Sequence, residues 1–482
     1  MNFIQPSKIF IIAFLPFFLG GLFNIYLFDD TFTFIATLTL LLASFSYLYL
    51  QITAKHSKIY FLFFSTLSLF LSITLSAIFL SIEGFQTFDE VQRFITPDEI
   101  SSDLLAMGPV AIQFFDLLEN QGLYGAVTFN WMLGFYNSYL SVFKMSFSAI
   151  ALPGIGYFSF SIISWWFSVL FFAICAIIYQ SNQTHTNQSS SGYFLCFFIP
   201  WLIAPFALPN DRELIGIVLL GIIGIGFLAK EKLSLLSVAT ILTCTVLLVF
   251  QRYAYAAFVP VIFLFFGWHY LLVRNNITIF PKLYFTNSLK ISIGILVLLG
   301  LLSVITYLIP FISFLAILDT NFFDRVDAAM TGNADAWVSL STGIPIIDMP
   351  LKILFLILTP FPFYQMFRGD YGWSLNPTLL IPLNILPVYM FGKLYIIIFF
   401  AYEMLRLNFT KLFMPILGIL FLATVVISDR AGPAYLMPAY ACFILWIHSN
   451  NISISNFKKT LPIYLVTLLM AHLLYWLIYW KI

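Results

Sequence analysis

The chain has 482 residues, of which 61% are hydrophobic and only 9% are charged. Soluble domains are about 45–50% apolar, so this composition excludes a soluble fold and predicts a protein that crosses a membrane many times. The formal net charge of +1 excludes nucleic acid as a partner, because the chain has no basic patch large enough to neutralise several phosphates. Membrane lipids and lipid-borne molecules are the expected partners.

Hydropathy predicts about thirteen membrane spans, each of which needs about 20 apolar residues. The predicted spans lie near residues 9–28, 31–52, 59–82, 154–179, 193–209, 214–229, 233–250, 254–273, 291–313, 383–404, 412–428, 434–448 and 461–480. We therefore predict an all-α fold, a polytopic transmembrane helical bundle of about 12–14 spans. The bundle is expected to be one integral membrane domain over 1–482.

The lysine positions predict the orientation of this bundle. If the N-terminus and Lys8 are cytoplasmic, the later basic clusters fall on the same side, as the positive-inside rule requires. These clusters are Lys55/Lys58, Lys230/Lys232, Arg274/Lys282/Lys290, Arg406/Lys411 and Lys458/Lys459. All Asp and Glu except Glu231 and Glu403 are then placed outside. We infer that the chemistry takes place at the outer face.

Two long segments are predicted at that outer face. Residues 83–153 contain apolar residues at three- and four-residue spacing, which is typical of amphipathic helices lying in the membrane interface. Residues 314–382 form an outer loop followed by an apolar run at 351–367 that Pro360 and Pro362 interrupt. Irregular backbone at membrane depth is tolerated only beside protein or a water-filled cavity, so we predict a re-entrant segment. The alternative is an ordinary span kinked by proline.

Arginines recur at the predicted outer ends of the spans. The dipeptide Asp-Arg occurs in "PNDREL", "FFDRVDAA" and "SDRAGP", and a further arginine lies in "VFQRYAYAAF". The guanidinium is a planar fork of donors that matches phosphate oxygens, so these side chains are candidate pyrophosphate ligands. They are Arg212, Arg252, Arg325 and Arg430. The alternative is that each arginine marks a helix end and pairs with its neighbouring aspartate.

Carboxylates near these arginines are candidate general bases. A sugar hydroxyl that attacks an anomeric carbon must lose its proton, and a positioned carboxylate can accept it. The candidates are Asp89, Glu90, Asp211 and Glu213. The alternative role for Asp89 and Glu90 is that of solvated loop charges or helix-start carboxylates. His472 is a further candidate base, although a lone histidine in a bundle is more often a hydrogen-bonded core residue.

Aromatic residues make up 19% of the chain. Those placed outside can stack against sugars, or they can form the aromatic belt that membrane proteins have at the interface. The candidate glycan-binding residues are Trp337, Tyr371, Trp373 and Tyr435. The sequence "SDRAGPAY" also predicts a turn at Gly432 and a helix that begins at Pro433, because proline is compatible with the first helical position.

Taken together, this pattern resembles bacterial oligosaccharide repeat-unit polymerases of the O-antigen polymerase kind. Those proteins have many spans and long outer loops that bear arginine. The stretch "LKILFLILTPFPFYQMF" is also similar to a Pro-Phe-Pro-aromatic segment of polytopic sugar-polymer proteins, where it precedes a late helix with one arginine and two prolines. In this chain those late residues are Arg430, Pro433 and Pro438.

The resemblance implies a GT-C-like fold and a location in the bacterial inner membrane, with the active site on the periplasmic face. It implies transfer of a growing glycan from undecaprenyl pyrophosphate to a lipid-linked repeat unit, without metal or cofactor. Arg368 joins the pyrophosphate ligands on this basis, and a chain-length regulator protein becomes a further candidate partner. The alternatives are an O-antigen ligase or a GT-C transferase with a polyprenyl-linked donor, and a lipid-linked oligosaccharide flippase or transporter.

Overall fold

The computed structural model describes seven helices and several shorter stretches of the chain. The described residues are 5–27, 29–53, 55–81, 151–153, 158–182, 213–228, 234–251, 259, 262–263, 414, 416–421, 433–449, 462–463, 465–466, 469–470 and 473. The helices are α1 (Pro6–Leu27), α2 (Asp30–Gln51), α3 (Lys55–Ser81), α4 (Phe158–Asn182), α5 (Glu213–Leu228), α6 (Leu235–Gln251) and α7 (Pro433–Ser449). Within these ranges there is no strand, and each helix coincides with a predicted span.

Three of the described helices are long and apolar enough to cross a membrane, namely α1, α2 and the Ile162–Gln180 part of α4. A helix of 22 residues, such as α1 or α2, is about 33 Å long, which matches a hydrocarbon core of about 30 Å. The membrane character predicted from composition is therefore supported. The predicted total of spans stays a prediction, because the predicted spans 193–209, 291–313 and 383–404 lie outside the described residues. Nearly all of the outer segment 83–153 and all of 314–382 also lie outside them.

The chain divides into two compact units. Unit 1 comprises residues 1–183, 196–229 and 233–252, and unit 2 comprises the remainder. Unit 1 contains α1 to α6, and unit 2 contains α7.

In unit 1, α1 and α2 form an antiparallel hairpin. Asp29 ends the short connection and caps α2, because its side chain accepts a hydrogen bond of 3.0 Å from the Phe32 N–H. Phe23 and Phe32 meet edge to face beside the turn, with ring centroids 5.9 Å apart. Further along, Thr37 packs directly on Gly20, where a Cβ atom would overlap the Thr37 hydroxyl oxygen. The absence of a side chain at Gly20 therefore sets how closely the two helices approach.

Helix α4 is enclosed by its neighbours. In its Ile162–Gln180 window 94% of the residues are buried, compared with 28% in α1 and 22% in α2. Its two indoles bind neighbouring backbones: Trp165 Nε1 donates to the Ser65 carbonyl at 2.8 Å, and Trp166 Nε1 donates to the Ala13 carbonyl at 3.0 Å. A helix that is apolar on every side is suited either to a protein interior, as here, or to lipid. Helices α1 and α2 are therefore left to face lipid.

Polar side chains join the beginnings of α1 and α6. Ser237 donates to Gln5 Oε1 at 2.9 Å, and its hydroxyl lies 3.2 Å from that of Ser7. Ser234 donates to the Ser237 hydroxyl at 2.9 Å and accepts from the Ser237 N–H at 3.2 Å, which caps α6. The two helices therefore begin at the same end of the unit.

A second junction joins the α2–α3 turn to the end of α4. Gln180 Oε1 accepts from the Thr53 N–H at 3.3 Å and from the Thr53 hydroxyl at 3.4 Å. Because α1 and α2 are antiparallel, both junctions lie at one end of the unit. We call it the lysine end, since it carries Lys8, Lys55 and Lys58.

The opposite end carries carboxylates, and we call it the acidic end. Asp29 and Asp30 lie there, exposed, at the α1–α2 turn. Helices α5 and α6 pack together and are joined by only six residues, 229–234, so they are antiparallel. Since α6 begins at the lysine end, α5 ends there, and Glu213, the first residue of α5, lies at the acidic end.

In unit 2, α7 packs against the short helical stretch at 416–421. The Phe443 ring lies on Gly418, where an added Cβ would overlap it. The buried His448 lies near the C-terminal end of α7. Its Nδ1 atom donates a hydrogen bond of 2.8 Å to the Ile444 carbonyl, one turn earlier. Small residues thus permit close helix contacts in this unit also.

We predict that Gly20→Leu destabilises unit 1, because the new side chain must displace Thr37 and part α1 from α2. Overpacking of this kind costs about 1–3 kcal/mol. The measurement is the apparent Tm of the detergent-purified full chain. Ala43→Leu is the matched control, since it adds a leucine on an exposed position of α2. Equal Tm values for the two variants would contradict the close contact at Gly20.

Candidate functional site

Two of the predicted site residues, Glu213 and Tyr435, lie in described helices. The other candidates lie outside the described residues and remain predictions. They are Asp89, Glu90, Asp211, Arg212, Arg252, Arg325, Arg368, Arg430, Trp337, Tyr371 and Trp373. Within the described part of the chain, the ends of the helices are therefore what bears on the site.

Glu213 is the first residue of α5. The first N–H groups of a helix lack partners within it, and the aligned peptide dipoles place positive potential there, so a carboxylate at this position is favourable by about 0.3–1 kcal/mol. This placement gives the residue a structural role at a helix start. It also puts Glu213 at the acidic end of unit 1, where the predicted general base is required. Both roles can belong to one residue.

The hairpin of α5 and α6 brings two helix ends to the same level. The helices have 16 and 17 residues, which gives lengths of about 24 and 26 Å. Starting from their short connection at the lysine end, both therefore reach the acidic end, at Glu213 and Gln251. Arg212 precedes Glu213 in the sequence and Arg252 follows Gln251.

Tyr435 is the third residue of α7, and that helix begins at Pro433, as the sequence predicts. Gly432 and Arg430 precede this start in the sequence. Proline suits the first helical position because its missing N–H would have had no helical partner there. The beginning of α7, like that of α5, offers unpaired N–H groups and positive potential to an anion.

Sequence reasoning missed the two polar junctions of the lysine end. Gln5, Ser7, Ser237 and Gln180 are buried or half-buried, although each stands in or beside an apolar run. The pairs Gln5–Ser237 and Thr53–Gln180 are separated by more than 100 residues. Hydropathy carries no signal for such pairing, because it reports which residues are buried and not which helices meet.

Among the described residues, no three His, Cys, Asp or Glu side chains are grouped as metal ligands would be. Cys175, Cys244 and Cys442 are buried and form no disulfide, as expected of small apolar side chains in helices.

Comparisons with protein-family models, with curated proteins and with solved structures found no match to this chain. The functional assignment therefore depends on the chemistry of the residues and on the helix ends at which they lie.

Proposed function

We propose that this protein is a membrane glycosyltransferase that polymerises undecaprenyl-pyrophosphate-linked oligosaccharide repeat units at the outer face of the bacterial inner membrane. The supporting observation is the separation of charge in unit 1. Lys8 and Lys55 lie at one end of helices about 33 Å long, and Asp29, Asp30 and Glu213 lie at the other. By the positive-inside rule the lysine end is cytoplasmic, so the acidic end faces outward.

The reaction transfers a glycan without a metal. A hydroxyl oxygen of the acceptor repeat unit attacks the anomeric carbon of the growing chain, and a new C–O bond forms. The bond between that carbon and the pyrophosphate oxygen breaks, and the leaving undecaprenyl pyrophosphate takes the electron pair. The hydroxyl proton passes to a carboxylate. Two groups are thus required, a cationic clamp for the leaving group and a base beside the acceptor.

Arginines supply the clamp in this proposal. In the sequence, Arg212 directly precedes α5 and Arg252 directly follows α6, and packed helices lie about 8–10 Å apart. A pyrophosphate is small enough to be held between two long side chains at that separation. Arg325, Arg368 and Arg430 are the further ligands that we assign to it. The guanidinium stays protonated, so it can neutralise the leaving group at any physiological pH.

The base is a carboxylate at the same end of the protein. Glu213 is the strongest candidate, because it begins α5 immediately after Arg212 and the helix direction puts it at the acidic end. Asp89, Glu90 and Asp211 are the other candidates. Trp337, Tyr371, Trp373 and Tyr435 are assigned to stacking on the sugar rings of donor and acceptor.

We expect the two ends of unit 1 to be labelled from opposite sides of the membrane. With a membrane-impermeant maleimide, Asp30→Cys should react in intact spheroplasts, and Lys55→Cys should react only after the membrane is opened. Both positions are exposed, and the unmodified chain, whose described cysteines are buried, gives the background. Labelling of Lys55→Cys alone in spheroplasts would reverse the orientation and place the acidic end in the cytoplasm.

We expect deletion of the gene to leave the surface glycan as single repeat units, while their lipid-linked precursors reach the outer leaflet. The measurement is electrophoresis of extracted glycan together with mass spectrometry of lipid-linked intermediates. Precursor trapped on the cytoplasmic leaflet would instead indicate a flippase. Long, unattached chains on their lipid carrier would indicate a ligase.

We expect Arg252→Lys and Arg212→Lys each to reduce polymerisation by at least about tenfold, because lysine keeps the charge but loses the two-pronged hydrogen bond. The measurement is chain-length distribution in cells, normalised to the amount of protein in the membrane. Arg406→Lys is the matched control, since Arg406 belongs to a predicted cytoplasmic cluster. Full polymerisation by both variants would remove these arginines from the pyrophosphate site.

A further inference from the structure

Two buried polar groups lie unsatisfied beside the beginning of α3. Ser57, the third residue of α3, is 2% exposed, and Gln180, near the end of α4, is 7% exposed. The Ser57 hydroxyl and the Gln180 amide nitrogen have no hydrogen-bond partner within the part of the chain that the structure describes. A buried polar group without a partner costs about 1–3 kcal/mol, so such groups mark places where a ligand or a water binds.

The hydrogen bonds of Gln180 place its amide at this helix start. Its Oε1 accepts from both the N–H and the hydroxyl of Thr53, two residues before α3 begins. The Nε2 atom belongs to the same planar amide, so it lies beside the first turn of α3. Ser57 lies in that turn. The two unsatisfied groups are therefore neighbours of one helix start.

This helix start differs in sequence from two others of unit 1. Helix α2 is capped by the Asp29 carboxylate and α6 by the Ser234 hydroxyl. The residue before Lys55 is Ala54, whose methyl side chain has no oxygen to accept from the first N–H groups of α3. The first N–H groups of a helix have no partner within the helix, so α3 needs an acceptor from elsewhere.

The groups at this place are almost all donors. The Gln180 amide nitrogen and the first N–H groups of α3 can only donate, and the Ser57 hydroxyl can donate. Lys55 is exposed at the same turn, and Lys58 Nζ is held 4.9 Å from the centroid of the Tyr49 ring. Such a set calls for an acceptor, and the helix start and the nearby lysines favour one with negative charge, so a phosphate suits this place.

We propose that the α2–α3 turn binds the phosphate of an anionic phospholipid headgroup from the leaflet at the lysine end. Ser57, Gln180 and the α3 N–H groups hold the phosphate oxygens, and Lys55 supplies charge at the rim. The exposed apolar side chains of Leu50 and Ile59 flank the turn, at 67% and 54% exposed, and are suited to the acyl chains of the same lipid. The site lies at the end of unit 1 opposite to the proposed glycan transfer and does not depend on it.

The test is the thermal stability of the purified full chain in detergent, titrated with dioleoylphosphatidylglycerol. A ligand that binds only the folded chain raises its stability in proportion to the logarithm of its concentration. We expect Ser57→Ala and Gln180→Glu each to raise the half-saturating lipid concentration by roughly tenfold, the loss expected for one hydrogen bond to a charged group. Gln180→Glu keeps an acceptor for Thr53 and replaces the unsatisfied donor with a carboxylate oxygen, which cannot donate to a phosphate and repels it.

Ser65→Ala is the matched control, because Ser65 is equally buried on α3 but its hydroxyl donates to the Phe61 carbonyl at 2.6 Å. Its titration should coincide with that of the unmodified chain. Inorganic phosphate and dioleoylphosphatidylcholine are the other two arms. Protection by inorganic phosphate alone would overturn the lipid assignment, and equal protection by the zwitterionic lipid would overturn the requirement for net charge. Unchanged titration of both variants would mean that water satisfies the two groups and that the site does not exist.

Discussion

The indole N–H groups of Trp165 and Trp166 fix the arrangement of unit 1. Each lies in the apolar interior, where no water is present to accept its hydrogen bond, so each must find a backbone carbonyl on another helix. Trp165 donates to the Ser65 carbonyl on α3, and Trp166 donates to the Ala13 carbonyl on α1. Adjacent residues point to different sides of a helix, so the two bonds together determine how α4 is rotated between its neighbours.

Once α4 is fixed in this way, the rest of the unit follows from close packing. Helices in hydrocarbon gain little from burying apolar surface against one another, and they associate through van der Waals contact and hydrogen bonds instead. Gly221 receives the Ile174 side chain of α4, where an added Cβ would lie 2.9 Å from Ile174 Cδ1. In the same way, the Thr37 side chain of α2 packs on Gly20 of α1. With its rotation and depth thus fixed, α4 ends beside Thr53, and this position creates the junction with Gln180.

The positions of the helices could be predicted from the sequence, but their neighbours could not. Apolar runs are bounded by polar residues or proline, and Pro433 marks a helix start for a local steric reason, so α1 to α7 coincide with predicted spans. The lysines mark one end for an electrostatic reason that is also local. Contacts such as Trp166 with Ala13 depend on which faces meet, and a helix as uniformly apolar as α4 has no polar face to reveal this. The candidate site could be predicted only in part for the same reason. The local sequence is enough to place Glu213 at a helix start. Which arginines lie beside it depends on which helices pack together, and the local sequence does not show this.

The two ends of unit 1 call for different kinds of phosphate recognition. At the acidic end the proposed ligand is a leaving group, whose charge grows during the reaction, so recognition must come from side chains that can follow it, as the long and permanently charged arginines do. At the lysine end a resident lipid undergoes no chemistry. Fixed donors, such as the Gln180 amide and the first N–H groups of α3, are then better suited, since little conformational freedom is lost when the ligand binds. Distance keeps the two proposed ligands apart, because Asp30, at the acidic end, is separated from the α2–α3 turn by the length of α2, about 33 Å. This distance would keep the proposed lipid from competing with the proposed donor substrate.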